Sequence, residues 1–303
     1  MTWLIVTISF YLILSVVFLV DKYLLTGLIP NPKIYTFYVG TLGILTLIIA
    51  PFVNFYIPNP FQIILSLSAG AVFIYALFWF YKALSLFEAS RVVPAISGLV
   101  PLFTFGLVYF SSLGRETLPF VKMIAFILLV FGSIFITFEK KKIINLKGFK
   151  ISVLTAFLLS LAFTLTKYVY LEQPFWNGFI WTKIGGLLAA FLFFIFMPEI
   201  KEEIFKKKIS FQKKTFGIFI SNQMVGAGAN VLQNWAIALA PLAYISIINA
   251  LQGIQYAFLL IFTLFLSFKF PQVLKEEISP KILLQKIAAI LLIGGGLALL
   301  AFK

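Results

Sequence analysis

The sequence predicts an all-α membrane protein: ten transmembrane helices, arranged as two inverted five-helix repeats around a central cavity. Three observations predict it. The 303 residues are 62% hydrophobic and only 11% charged, with a mean hydropathy of +1.06, too little charge to clothe a soluble domain of this size. The apolar residues fall into ten runs of about 20, the length a helix needs to cross ~30 Å of hydrocarbon. The two halves also echo each other.

The runs are 3–26, 33–57, 61–86, 89–111, 118–138, 149–170, 174–197, 215–239, 242–268 and 281–301. The short alternating segments of a β-barrel are absent. Span 1 lacks a basic start and a small-residue cleavage site, so it reads as a helix that stays and not as a signal peptide. It carries Thr7, Tyr11, Ser15, Phe18 and Lys22 three or four residues apart, which puts them on one helical face. Span 2 holds Gly40 and Gly43, small residues that let helices approach closely. Span 3 brings Tyr75, Trp79 and Tyr81, candidate aromatic walls and cation–π faces. Span 4 aligns Ser90, Pro94, Ser97, Pro101 and Thr104 on one face. Its two prolines deprive the carbonyls at 90 and 97 of their usual donors and open kinks.

After span 5 comes the basic connector EKKKIINLKGFK (139–150). Span 6 repeats the polar face of span 1 with Ser160, Thr164 and Lys167. Span 7 carries Lys183 well inside the run and is followed by EIKEEIFKKKISFQKK (199–214). Span 8 shows Gln223, Asn230 and Asn234, with Gln233 beside them; span 9 shows Asn249, Gln252 and Tyr256, with Gln255 adjacent. Span 10 holds Gly294 to Gly296, suited to close helix contact.

Superposing Lys22 on Lys167 also lays Ser15 on Ser160, Phe18 on Phe163, Tyr23 on Tyr168 and Gly40 on Gly185. Glu116-Thr-Leu-Pro119 and Glu277-Ile-Ser-Pro280 each precede the last span of their half. The chain thus divides into residues 1–146 and 147–303. Five spans per half turn the second copy upside down, the architecture of secondary transporters, whose solute site lies near the midplane between the halves.

No Cys and no His occur, which excludes thiolate nucleophiles, disulfides, the usual zinc sites and Ser–His triads. The net charge of +14 sits mainly in the two basic connectors, where topology explains it better than a nucleic-acid partner. The connectors after spans 1, 3, 5, 7 and 9 share one side, which also carries Lys33, Arg91, Lys269 and Lys275. The other side has Arg115 with Glu116 and no Lys or Arg in NFYIPNP (54–60). The positive-inside rule makes the lysine side cytoplasmic and puts both termini outside, in a multi-pass protein of the cell membrane.

FYKALSLFEASRVVPAISGLVPLFT (80–104), with Pro101, resembles the stretch across the third and fourth helices of the drug/metabolite transporter superfamily, EamA type. LGRET (113–117) resembles the family's short turn before its fifth helix, with Arg and Glu exchanged, and KEEISPK (275–281) is the second-half counterpart. Lys22 and Lys167 match a lysine near the end of the first helix of each half. The resemblance spans the whole chain and implies ten helices in two halves and transport of a small solute; it identifies no cargo. Many members of that family carry basic charge at the N-terminus and between their second and third helices. Here the charge lies on the other side, so orientation does not transfer.

The expected site is a cavity lined by Tyr11, Ser15, Lys22, Tyr75, Trp79, Pro94, Ser97, Lys167, Gln223, Asn230, Asn234, Asn249, Gln252 and Tyr256. Amides there offer donors and acceptors to a polar metabolite, or else glue helices together. Lys22 and Lys167 either present charge at the cavity rims to a carboxylate or phosphate, or snorkel to the interface, with Glu172 and Asp21 as neighbouring carboxylates. No carboxylate sits at a clear midplane position to couple protons.

The function expected is a secondary transporter, an exporter of a small polar metabolite such as an amino acid or related compound, by alternating access. The partners expected are that small molecule and the lipid bilayer, with no nucleic acid, cofactor, metal or catalytic residue. A monomer is expected, with a homodimer as the alternative. A flippase for a lipid head group or lipid carrier on the same scaffold needs a lateral slot between helices, which sequence does not display. An integral membrane enzyme needs a set of acids, bases or metal ligands, and only ten carboxylates occur, mostly in connectors.

Overall fold

The computed structural model describes residues 1–24, 31–87, 89–137, 146–205, 213–269 and 280–301. It leaves out the side chains at 22, 89–91, 94, 137, 203–204, 213–215, 263–269 and 280–283. Every regular element among the described residues is helical. In chain order these are α1 (Thr2–Tyr23), α2 (Pro32–Leu42) running into a 3-10 segment (Gly43–Phe52), α3 (Pro60–Leu86), α4 (Ala89–Ser111), α5 (Phe120–Thr137) and α6 (Leu146–Glu172). Then follow α7 (Phe175–Phe196), α8 (Pro198–Phe205), α9 (Lys213–Leu239), a 3-10 turn (Leu242–Tyr244) leading into α10 (Ile245–Ala250), α11 (Gln252–Lys269) and α12 (Pro280–Ala301).

Seven helical stretches are long and apolar enough to cross a membrane: Thr2–Asp21, Pro32–Phe52, Pro60–Leu86, Leu146–Glu172, Phe175–Phe196, Leu242–Phe262 and Leu284–Ala301. Ala95–Ser111 and Phe120–Ile136 are apolar but shorter. The expectation was ten. The largest departure is α9, which is 27 residues long but carries Asn222, Gln223, Asn230, Gln233 and Asn234 and does not meet that standard. A helix this polar is tolerated in hydrocarbon only when its amides turn inward.

Local chemistry explains several starts. The side chains of Asn31 and Asn59 cap α2 and α3, accepting from the Lys33 and Gln62 amides at 3.0 and 2.9 Å, and Pro32 and Pro60 follow as first helical residues. Proline suits that place because its missing N–H has no partner in the first turn anyway. The ten-residue 3-10 stretch after α2 is unusually long for that geometry, which normally serves in short pieces and marks hinges. α8 forms within a connector that sequence treats as charged linker. Lys33, at the start of α2, bonds Glu199 of α8 at 2.5 Å and holds the Glu199 carboxyl below its ordinary value.

The tightest seams join α3 to α6 and α7, α5 to α12, α1 to α9 and α4 to α6. At the α3–α7 seam the backbones touch. A Cβ at Gly70 would stand 1.8 Å from the Thr182 carbonyl oxygen, and one at Gly185 2.3 Å from that of Leu67, so only glycine fits either place. Buried apolar clusters flank the molecule's centre: one gathers α1, α5 and α10 to α12 around Phe10, Leu129 and Ile248, and another gathers α2, α3 and α7 around Tyr35 and Ile74.

Candidate functional site

Between the clusters lies a cavity of about 650 Å³, within the range of small-molecule sites. Its walls come from α1, α2 with its 3-10 continuation, α3, α4, α6, α7, α9, α10 and α11. Most of the lining is apolar, with Phe10, Phe18, Phe73, Phe80, Phe163 and Phe179 among it. Polar groups gather in patches. Asp21 and Lys183 are the charged residues of the lining among the described residues.

Asp21 sits where the end of α1 meets the start of α2 and the first half of α9. Its carboxylate accepts from the Tyr35 hydroxyl and from Asn222 Nδ2, the latter at 2.6 Å. Gln223 Nε2 reaches the same Tyr35 oxygen at 3.5 Å. Lys183 stands near the middle of α7. Its ammonium donates to Asn230 Oδ1 at 2.5 Å and lies 5.0 Å from the Phe179 ring centre and 6.0 Å from that of Phe73. A niche of about 20 Å³ adjoins it, bounded by Thr166, Gln233 and Asn234 as well as Lys183 and Asn230; that is room for about one water molecule. On the third side, Asn249 Nδ2 donates to Thr104 Oγ1 at 2.8 Å, and Gln252 and Gln255 follow from the start of α11. Gln255 is 2% exposed, and its Oε1 accepts no hydrogen bond among the described residues. A buried polar atom without a partner is uncommon in folded proteins.

Of the residues expected to form the site, Tyr11, Gln223, Asn230, Asn249 and Gln252 line this cavity, and Asn234 lines the niche. Tyr11 is buried, and its hydroxyl donates to the carbonyl of Ile248 in α10 at 2.9 Å. The others lie elsewhere. Ser15 turns back on the Leu12 carbonyl at 2.6 Å, a bond within its own helix. Ser97 and Tyr256 are buried in helix packing away from the lining. Tyr75 is 41% exposed and packs on Phe78, Trp79 and Phe193. Trp79 lies under Lys82, whose ammonium is 4.5 Å from its ring centre. Lys167 is buried and donates to the Ala238 and Ala240 carbonyls at 3.0 and 2.6 Å, at the C-terminal end of α9. The side chains of Lys22 and Pro94 lie outside the described residues.

Sequence reasoning did not place Asp21, Tyr35, Asn222 or Thr182 at the site. Asn222 carries a legible signal, since it adjoins Gln223 on the most polar helix. Tyr35 and Asp21 sit near span ends, where polar residues are ordinary.

No family model matches this chain, and no curated protein matches it. Solved structures do resemble it, 20 chains among them. One, described only as the crystal structure of a protein, superposes with a TM-score of 0.65 at 15% identity, covering 99% of this chain and 97% of that one. The likeness is one of fold along nearly the whole length.

Proposed function

We propose that this protein is a secondary transporter of a small organic solute, working by alternating access between two inverted five-helix halves, residues 1–146 and 147–303. The observation that carries the reading is the cavity itself. Both halves wall it, and a charged residue comes from each: Asp21 from the first, Lys183 from the second. The pairing of helices supports the inverted repeat. If spans are counted in fives, α3 against α6 has its counterpart in α9 against α1, and α4 against α6 in α11 against α1. α5 against α12 and α2 against α7 are their own counterparts. The turn at Leu251, which separates α10 from α11 beside the cavity, supports it too, because interrupted helices at mid-depth are the usual solute contacts of such carriers. The residue patterns that resemble the drug/metabolite transporter superfamily agree with this reading. Lys-rich connectors on the cytoplasmic side complete it.

The test is solute counterflow in proteoliposomes, with the cargo class first narrowed by thermal-shift screening against amino acids, sugars, nucleotides and organic phosphates. Gln233→Leu combined with Gln252→Leu removes two cavity amides that have no hydrogen-bond partner among the described residues. It is expected to abolish counterflow while leaving the melting temperature near wild type. Full transport by that variant would remove this cavity from the pathway.

A further inference from the structure

The seams around the cavity are unequal. The α3–α7 seam is sealed backbone to backbone at Gly70 and Gly185. In the inverted repeat its counterpart is the seam between α9 and α2, and there α9, though packed along α1, has no comparable contact. That seam closes at one end only. Phe219 meets Tyr35 and Tyr38 with ring centres 5.6 and 6.1 Å apart. Further along, the helices part. Leu45, Thr46 and Ile49 line the cavity from the 3-10 side, and Met224, Gly228 and Val231 from α9. A Cβ at Gly228 would meet nothing within 4 Å, and Leu45 and Met224 are 55% and 71% exposed. These residues stand midway along α9 and past the middle of the Pro32–Phe52 span, so the gap opens at the depth of hydrocarbon and not of water.

Beside this gap stands Lys183: a Cβ at Gly43 would meet its Cδ at 4.0 Å, and its ammonium bonds Asn230 of α9. Among the described residues no carboxylate lies within 4.0 Å of its ammonium, and its partners are one amide oxygen and two ring faces. An ammonium at mid-depth is stabilised by an anion. Asp21, the other charge of the lining, is already engaged by Tyr35 and Asn222 at the far end. The apolar walls between the two match a hydrocarbon chain and not a wholly polar solute.

We infer that the cargo is a single-chain anionic amphiphile. Its head pairs with Lys183, and its chain leaves through the α2–α9 gap into the bilayer. The inference rests on the carrier reading for its biological sense, yet binding tests it without transport.

In nanodiscs of zwitterionic phosphatidylcholine, the probes are dodecyl phosphate and dodecanoate, with dodecyltrimethylammonium as the cation of equal chain and inorganic phosphate and acetate as heads without chains. At least one anionic amphiphile is expected to bind about tenfold or more tightly than the cation, and the bare heads far more weakly than either. Whichever of the two binds better identifies the head as phosphate or carboxylate. Lys183→Gln should erase the preference over the cation, and Lys183→Arg should keep it. Equal binding of cation and anions, or an anion preference that survives Lys183→Gln, overturns the inference. Because the chain has no cysteine, Gly228→Cys gives an independent reading of the gap. It should react faster with a membrane-soluble maleimide than with a charged, impermeant one; the reverse order puts the gap in water and overturns lateral entry. Amphiphile binding without counterflow would remove the carrier reading and leave this inference standing. Counterflow of a water-soluble solute without amphiphile binding would do the opposite.

Discussion

Replacing Lys167 with Met should unfasten the end of α9. The last carbonyls of a helix have no intrahelical donor, and the residues beyond usually supply amides to them. Here Pro241 follows Ala240 and has no N–H to give. The Lys167 ammonium supplies the missing donors, bonding Ala238 and Ala240 at 3.0 and 2.6 Å, with its side chain 3% exposed. A hydrogen bond to a charged group contributes about 1.5–3 kcal/mol, and the two share one ammonium whose burial offsets part of the gain, so roughly 2–4 kcal/mol is expected for Lys167→Met. At about 2–4 °C per kcal/mol for a chain of this order, the apparent melting temperature should fall by roughly 4–16 °C. The assay is thermal unfolding of the purified protein followed by tryptophan emission; Trp235 lies on the last turns of α9, beside Phe175. Transport of anionic and neutral solutes should decline together. A Lys167→Met protein that melts with the wild type while losing anionic solutes selectively would refute the clamp and return Lys167 to a cavity rim.

The remaining predictions concern packing, the amides and pH. Gly70→Ala forces α3 away from α7, because its Cβ would meet the Thr182 carbonyl oxygen at 1.8 Å; a loss of about 1–3 kcal/mol is expected by chemical denaturation, against little change for Gly228→Ala. Asn234→Leu strands the Tyr170 hydroxyl, now bonded to its Oδ1 at 2.7 Å, and should lower the melting temperature, whereas Gln252→Leu should leave it unchanged and weaken solute binding. The bond from Lys33 holds the Glu199 carboxyl below its ordinary value, so its contribution to docking α8 is present at neutral pH and fades as pH falls through that lowered value. The difference in α8 amide exchange between wild type and Lys33→Met should therefore be measurable at pH 7 and vanish in acid.

The helical runs were legible because crossing hydrocarbon imposes a length, and each predicted run contains described helix. What sequence could not give was the interruptions. Nothing in GILTLIIAPF (43–52) distinguishes a 3-10 path from an α-helical one except Gly43 and Pro51, and nothing short of packing bends the chain at Leu251. α8 was hidden because a short amphipathic turn amid lysines has the composition of a linker. At the site, the polar stripe on α9 was readable, since Gln223 and Asn230 lie two turns apart on one face and both reach the cavity. The aromatic walls expected from Tyr75 and Trp79 were not, because periodicity gives a face and not its neighbour. Those rings meet Phe78, Phe193 and Lys82 instead.

The hydrogen bonds divide the amides of the cavity walls into two sets. The asparagines are committed. Asn222 serves Asp21 at 2.6 Å, Asn230 serves Lys183 and Asn234, Asn234 also takes the Tyr170 hydroxyl, and Asn249 holds Thr104 at 2.8 Å. Among the described residues the glutamines of the lining are held loosely or not at all: Gln223 and Gln255 each make one bond at 3.5 Å, and the Oε1 of Gln255 makes none. One methylene separates the two side chains. The shorter amides fix neighbouring helices, whereas Gln223, Gln233 and Gln252 line the cavity and Gln255 is buried beside it. On the proposed function, the asparagines set the geometry of the chamber, and Gln223, Gln233 and Gln252 are the amides left for its contents. This division lets α9 carry many amides and still be held in place: its asparagines bond the rest of the protein, and Gln223 and Gln233 line the cavity.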